Sequence, residues 1–411
     1  MLVSTVLLSL AMLGGSSNAS ATSTLPAWAR RYNVACAHCH APAVPRLNAT
    51  GIRFRWAGYR MPEDIGQPVE VQKVENYIAL RGRLRYNYEK TQGEPAENSA
   101  FNFHDATLFY AGPLGKNFGA FFEIEREAED DIGLVAQIVG AWGTEQSYGG
   151  FRAGQIHWAL GSGVAGFDRP TGINRPRPVA DKVTTAVPFR FRKDQVGVEA
   201  YYVTGRNRVA AQVLNGIDPS GGGTGGDVDT WKDFVVTDQF LLDEAGSGIS
   251  AVGYYGSLKG LEPLEPNTTV HYWRLGLSAN KFIQDFEVSG TVVYGKDKDL
   301  PVISGGRFAS STAKGVGYWL YGGYTFRKHG DAAQRGTPMT WFARYEFADP
   351  NTQTADNANR RLATGFVIPI NLPEYLRLAL EYSLDLPQGG GPKHHGLTTE
   401  LMIVFYQGTR P

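Results

Sequence analysis

The only two cysteines of the 411-residue chain stand three positions apart, in the segment Cys36-Ala37-His38-Cys39-His40. Two thiols at this spacing can each form a thioether bond to one vinyl group of a porphyrin. The imidazole of the next residue, His40, is then held beneath the iron as its proximal ligand. The segment therefore matches the attachment pattern of a c-type haem, with one covalent haem c bound by Cys36, Cys39 and His40.

Two other chemistries share part of this spacing. A thioredoxin-type redox pair is also Cys-x-x-Cys, but no alternating strands and helices surround the motif here. Zinc could be bound by the two thiols together with His38 and His40, but all four groups lie within five residues, which is too short for tetrahedral closure. Haem attachment is the chemistry that the residues favour.

Met61 is the candidate for the second axial ligand of such an iron. It lies 21 residues after His40, within reach of a loop that closes over the haem. A thioether ligand would raise the reduction potential relative to a pair of histidines. The alternative is that Met61 is an ordinary linker residue. His104 and His157, on predicted strands, are two further candidates.

The N-terminus has the pattern of an export signal. Residues 2–14 are almost wholly apolar, and Ala19-Ser20-Ala21 fits the small-x-small rule for cleavage, although no Lys or Arg precedes the apolar run. That run is shorter than the ~20 residues of a membrane-spanning helix, which disfavours the alternative of a retained anchor. We predict a signal peptide over residues 1–21, which agrees with haem attachment outside the cytoplasm.

Composition narrows the class of protein. The formal net charge is zero, with 40 basic and 40 acidic residues, which removes the electrostatic case for a nucleic-acid binder. A mean hydropathy of −0.26 argues against a bundle of membrane helices. The same value is compatible with a membrane β-barrel, because such a barrel combines an apolar outer face with a polar inner one.

From about residue 75 the sequence alternates with a period of two. Leu80 and Leu84 fall on one face of the first such segment, and Arg81, Arg83 and Arg85 fall on the other. Segments of this kind recur to the C-terminus, mostly 10–13 residues long, which is longer than typical soluble strands. About sixteen are predicted: 75–89, 102–112, 117–126, 132–144, 149–160, 184–203, 206–216, 232–242, 248–258, 267–280, 285–296, 315–327, 338–349, 358–370, 374–386 and 397–407.

We therefore predict an all-β chain in which residues 69–411 form a porin-like transmembrane barrel. An even strand number places both ends of the barrel domain on the periplasmic side. Aromatic residues at the ends of the segments, such as Tyr272-Trp273, fit the girdles of such a barrel. A soluble sandwich or propeller is the alternative. The stretches 161–184, 218–229 and 300–315 are predicted connections between strands, and the first could fold into the lumen.

Acidic residues cluster after Phe122. Glu125, Glu127 and Glu129 are the candidates for a docking site for divalent metal cations, because carboxylate oxygens suit such ions. The alternative is a solvated strand end and turn.

The residues around the haem motif resemble the N-terminal signature of the fused outer-membrane monohaem cytochrome–porin family, which includes iron oxidases. The resemblance rests on the following: Leu25-Pro26-Ala27-Trp28-Ala29-Arg30 before the motif, then Pro45-Arg46-Leu47-Asn48, Gly51, Phe54-Arg55 and Gly58-Tyr59. Trp28 replaces the family's Phe, and Arg55 replaces its Lys. The resemblance covers about 40 residues and is architectural over the barrel.

The resemblance implies a short c-type cytochrome plug, residues 22–68, in a sixteen-stranded barrel of the bacterial outer membrane. It further implies electron transfer from an extracellular donor, Fe(II), through the haem to periplasmic cytochromes, as in an iron(II):cytochrome oxidoreductase. Glu125, Glu127 and Glu129 would then dock Fe(II). The alternative function is a porin-type channel for anions or small solutes with an accessory haem plug. A soluble secreted β-protein with haem is the third hypothesis.

Overall fold

The computed structural model describes residues 27–34, 36–40, 46–69, 76–94, 98–127, 132–157, 173–174, 176, 194–216, 230–259, 269–304, 307–326, 339–371 and 375–405. The predicted signal peptide, residues 1–21, lies outside them.

Sixteen antiparallel strands close into a single barrel, as the alternation predicts. Each strand pairs with its neighbours in sequence, and β1 pairs with β16 over a register from Leu80↔Phe405 to Thr91↔His394. The strands are β1 Ile78–Thr91, β2 Asn98–Pro113, β3 Phe118–Glu127, β4 Ile132–Thr144, β5 Ser147–His157, β6 Asp194–Thr204, β7 Asn207–Leu214, β8 Asp233–Leu241, β9 Gly248–Lys259, β10 Thr269–Ile283, β11 Phe286–Ser304, β12 Arg307–Phe326, β13 Met339–Asp349, β14 Asn359–Asn371, β15 Tyr375–Pro387 and β16 His394–Phe405.

The two faces of the barrel differ as predicted. On the outer face, large apolar side chains are exposed, as in Leu320 at 58% and Val236 at 58%. On the inner face, charged side chains are buried, as in Arg344 at 2% and Glu381 at 1%. An outward apolar belt around a closed sheet is what lipid requires, because every backbone hydrogen bond is then made between strands. Among the described residues, no helix is both long and apolar enough to cross a membrane.

The prediction that residues 300–315 form a connection is wrong. β11 and β12 continue through most of this stretch and pair with each other as far as Ser304↔Arg307. The Gly- and Ser-rich composition of this stretch is typical of a loop. Pairing between the two long strands nevertheless satisfies its backbone hydrogen bonds. β6 is described only from Asp194, ten residues after its predicted start, and residues 177–193 lie outside the described part.

The two ends of the barrel are distinguished by their connections. Two-residue turns join β4 to β5, β6 to β7 and β10 to β11 at one end, whereas the two-residue connection at the other end joins the two longest described strands, β11 and β12. The opposite end carries the long connections 158–193 and 215–232. In transmembrane barrels the short turns face the periplasm, so we call the first end the periplasmic end. The chain enters β1 and leaves β16 there, as predicted.

The N-terminal segment, meaning the described residues between 27 and 69, packs inside the barrel at the periplasmic end. It contains helix α1 (Ala27–Arg31), helix α2 (Ala49–Trp56) and two 3-10 turns, Cys36–His38 and Pro62–Asp64. A buried apolar cluster joins this segment to the inner faces of six strands, from β2 to β8. Its members are Ala49, Ile52, Phe54, Trp56, Ala57, Tyr59, Met61 and Ile65 of the segment, with Ala111, Val139, Ala141, Tyr148, Tyr201, Val203, Ala210 and Leu241 of the barrel.

Candidate functional site

Directed contacts join the N-terminal segment to the barrel wall. The Tyr59 hydroxyl donates to Gln137 Oε1 over 3.0 Å, and its ring stacks on Phe121 at a centroid distance of 5.2 Å. The indole Nε1 of Trp28 donates to the backbone oxygen of Ala111 over 2.7 Å. Hydrogen bonds fix orientation as well as depth, so the segment has a defined position within the barrel.

Asn48 holds the Cys-x-x-Cys-His loop in shape. Its side-chain Nδ2 donates to the carbonyl oxygens of Ala37 and His38, over 3.2 and 3.0 Å. Its backbone N–H donates to the Cys39 oxygen over 3.0 Å. The same side chain caps helix α2, because Asn48 Oδ1 accepts from the Gly51 N–H over 3.1 Å. Helix and loop are therefore joined through one residue.

Gly51 lies where α2 passes the loop most closely. A Cβ atom built at this position would collide with the carbonyl oxygen of Cys39. Glycine is therefore required here for close packing and not for its backbone angles.

His40 is oriented for ligation through Nε2. Its Nδ1 lies 3.0 Å from the backbone oxygen of Arg46, and a β-bridge pairs His40 with Leu47. A carbonyl oxygen can only accept, so Nδ1 carries the proton, and the neutral ring then has its lone pair on Nε2. A hydrogen bond of this kind is the usual way in which proteins fix the ring of a metal-ligating histidine.

The residues present fit a c-type haem. Cys36 begins a 3-10 turn, Cys39 follows it, and His40 comes next with its ring already oriented. Cys39 is half-buried and packs against the apolar cluster of the N-terminal segment. The side chain of Cys36 lies outside the described part of the structure.

Met61 lies in the same apolar cluster and is 7% exposed. Its backbone N–H donates to the Tyr32 hydroxyl over 3.2 Å, and that hydroxyl donates to Asp64 Oδ2 over 2.6 Å. Burial, followed by the hydrogen bond to Asp64, raises the pKa of the Tyr32 phenol well above its usual range, so the phenol stays neutral. The structure thus brings Met61 and Cys39 to one cluster.

The two alternative histidine ligands lie elsewhere. His104 is on β2, with its Nε2 4.0 Å from Asp105. His157 ends β5 at the opposite end of the barrel from the N-terminal segment, and its side chain lies outside the described residues. Position therefore favours Met61 over His157 for a site at the periplasmic end.

The predicted cation-docking carboxylates are only partly described. Glu125 points inward and accepts from Arg81 over 3.1 Å and from Arg83 over 2.9 Å. The side chain of Glu127, and all of Glu129, lie outside the described residues. Within the described ranges, no three His, Cys, Asp or Glu side chains group as a metal site. A carboxylate held by two guanidinium groups is a poor ligand for a further cation, so our proposal does not use Glu125.

Ion pairs cross the inner face of the barrel at many points, and the alternation in the sequence does not predict them. Arg85 and Arg377 both contact Glu400, and Arg344 contacts Glu346 and Glu381. Further pairs are Arg361–Asp385, Arg274–Asp297 and Arg208–Glu199. Alternation predicts which side chains face inward, but not which of them meet.

The sequence alone assigns no role to two residues of the site. Asn48 and Arg46 both belong to the stretch Pro45-Arg46-Leu47-Asn48 after the motif. Asn before a short run containing apolar residues is a helix-capping signal, and it could have indicated the start of α2. No local pattern could indicate that the Arg46 carbonyl orients His40.

No family model and no curated protein matches this chain. Among solved structures, the anion-selective porin from Comamonas acidovorans is 12% identical, with a TM-score of 0.55 over 80% of this chain and 99% of that one. OmpT, an outer membrane protein of Vibrio cholerae, is 11% identical, with a TM-score of 0.52 over 79% of this chain and 97% of that one. Salmonella typhi OmpF is 10% identical, with a TM-score of 0.51 over 82% of this chain and 100% of that one.

Identities this low show a shared fold and nothing further. The resemblance to cytochrome–porin fusions therefore stays a prediction from the sequence. The closed barrel of 16 strands, with its apolar outer belt, confirms the predicted location in the bacterial outer membrane. The chain has the fold of an outer-membrane porin.

Proposed function

We propose that this porin-type barrel holds one covalent haem c in its N-terminal segment and transfers single electrons between an extracellular donor, Fe(II), and periplasmic cytochromes. The observation that carries the proposal is the ring of His40, which the Arg46 carbonyl orients inside the periplasmic end of the barrel. When bound, a c-type haem supplies one-electron redox chemistry at its iron. The corresponding activity is that of an iron(II):cytochrome oxidoreductase.

The residues have separate roles in this proposal. Cys36 and Cys39 would hold the haem through thioether bonds, His40 would ligate the iron through Nε2, and Met61 would be the candidate for a further iron ligand. Tyr59 and Trp28 bind the segment to the wall, so the site stays within the barrel. Ala37 and His38 are exposed beside the motif and form the surface that a periplasmic cytochrome would meet.

A porin-type channel for anions or small solutes is the second candidate, and the comparisons with solved structures support it better than electron transfer. A porin named as anion-selective is among the similar folds. Arginines are numerous on the inner face, as in Arg83, Arg152 and Arg274. Those arginines are paired with carboxylates, however, which reduces the positive potential available to attract an anion.

Absorption spectroscopy and conductance on the purified protein separate the two candidates. For electron transfer we expect a Soret band that shifts when added Fe(II) reduces the haem. The band should be lost when Cys36 and Cys39 are both replaced by Ser. We also expect little current in a planar bilayer. A protein without the Soret band refutes the haem. A haem that Fe(II) leaves oxidised, in a barrel that passes a large steady current, establishes the channel.

A further inference from the structure

The side chain of Arg46 connects the haem motif to the barrel wall. It is 4% exposed, and its guanidinium forms an ion pair with the carboxylate of Glu287 at the start of β11. The same guanidinium lies over the ring of Phe282 on β10, 5.7 Å from its centroid. The side chains of the ion pair are 3% and 6% exposed, so water does not replace either partner.

The backbone of Arg46 is in direct contact with the proposed iron ligand. Its carbonyl oxygen accepts the hydrogen bond from His40 Nδ1, 3.0 Å away. Two contacts therefore lead from the wall to the imidazole: Glu287 to the Arg46 guanidinium, and the Arg46 carbonyl to His40. Removing one partner of a buried ion pair leaves a charge without compensation, so the remaining side chain must move.

We propose that Glu287, acting through Arg46, is a positioning residue that orients the His40 ring and sets the reduction potential of the site. This inference rests on the proposed function, because it assumes a haem held by Cys36, Cys39 and His40. It goes beyond that function by assigning control of the potential to a residue of the barrel.

The direction of the effect follows from ligand basicity. A hydrogen bond from Nδ1–H to a carbonyl makes the imidazole a stronger donor at Nε2. A stronger donor favours the more highly charged ferric state over the ferrous state. Loosening Arg46 weakens this hydrogen bond and should therefore raise the midpoint potential.

Potentiometric titration of Glu287→Gln tests the inference. We expect the ferric–ferrous equilibrium to shift about tenfold toward the ferrous form, which is about 59 mV for a one-electron couple. We also expect changed ferric g values in electron paramagnetic resonance, because the ring is free to turn. Asp385→Asn is the matched control, since it breaks another buried ion pair of the wall, that with Arg361, and should leave the potential and the g values unchanged.

The outcomes separate this inference from the proposed function. A wild-type protein without a Soret band contradicts the proposed function itself. A wild-type haem whose potential and g values are the same in Glu287→Gln overturns only the role of Glu287. If Glu287→Gln does not reach the folded barrel, Glu287→Asp is titrated instead, because it keeps the charge but shortens its reach. A smaller shift in the same direction then supports the inference, and an unchanged potential overturns it.

Discussion

Asn48 both caps helix α2 and holds the Cys-x-x-Cys-His loop, and mutation can separate these two roles. In Asn48→Ala, the hydrogen bonds to the Ala37 and His38 carbonyls and the cap on α2 are all lost. Loss of an N-cap alone costs about 1 kcal/mol. We expect faster amide hydrogen exchange in both residues 36–40 and the first turn of α2, measured by mass spectrometry on the purified protein.

Asn48→Asp is the control for this prediction. It keeps an oxygen that can accept from the Gly51 N–H, but it places a carboxylate where two carbonyl oxygens need a donor. Exchange should therefore rise in residues 36–40 and stay near wild type in the first turn of α2. Equal loosening of both regions would show that the cap and the loop contacts are one unit.

The contact between α2 and the turn after β8 depends on pH. Arg53 donates to both carboxylate oxygens of Glu244, over 2.9 and 3.0 Å, and Arg206 donates as well. The hydrogen bond from Arg53, followed by the positive charges of Arg53 and Arg206, lowers the pKa of Glu244 below its usual value. A lowered pKa stabilises the folded state above the unfolded pKa of about 4.3, and this stabilisation is lost as pH falls through the folded pKa.

Glu244→Gln tests this dependence. Wild type should be more stable than the variant near pH 7, by about 0.5 kcal/mol or less because the side chain is exposed. The difference should vanish when the pH is lowered well below 4.3. Thermal unfolding of both proteins at a series of pH values measures it. A difference that persists in acid would contradict a contribution from the Glu244 charge.

At the scale of elements, the position of the N-terminal segment in the barrel depends on the close approach of Gly58 to Gly119. Gly58, with φ of +78°, ends the turn after α2, and a Cβ at Gly119 on β3 would collide with the Gly58 carbonyl oxygen. In Gly119→Ala, we expect the barrel to form while the segment loosens, at a cost of about 1–3 kcal/mol. Exchange should rise in residues 52–60, and the heat-modifiable gel mobility of the barrel should be retained.

Gly115→Ala, in the connection that leads from β2 into β3, is the matched control. A Cβ at Gly115 meets no atom within 4 Å. Exchange in residues 52–60 should therefore remain at the wild-type level. If both variants loosen the segment equally, the flexibility of the β2–β3 connection determines how firmly the segment is held. The close approach of Gly58 to Gly119 then does not.

At the scale of the whole molecule, the depth of an outward-facing position in the apolar belt determines how much a charged substitution there destabilises the barrel. Leu320 is 58% exposed on the outer face, and β12 ends six residues later at Phe326, which places Leu320 near the middle of the belt. Leu320→Arg should destabilise the barrel by about 2–4 kcal/mol. Ser99 is exposed one residue after the start of β2, at the rim, so Ser99→Arg should cost about 0–1 kcal/mol. Urea unfolding in lipid vesicles measures both. Equal costs would contradict this position of the belt.

The sequence predicted most strands closely, because alternation is a local property. β4 was predicted at 132–144, and the structure has Ile132–Thr144. The prediction failed at 300–315, where two strands stabilise each other and the composition resembles a loop. The motif residues Cys36, Cys39 and His40 were proposed as a haem site from spacing alone, and that assignment stays a prediction. The contacts of Asn48 and Arg46 were not, because they depend on how the loop folds back.

The sequence by itself determined the presence of one Cys-x-x-Cys-His motif, the period of two and the number of strands, since each depends on residues that are close in the chain. Only the tertiary structure decided which distant residues meet. Arg85 and Glu400 lie 315 positions apart and are brought together by closure of β1 onto β16. In the same way, Arg46 reaches Glu287 because the N-terminal segment packs within the closed wall. Burial of the segment's apolar cluster against the inner strands drives this arrangement.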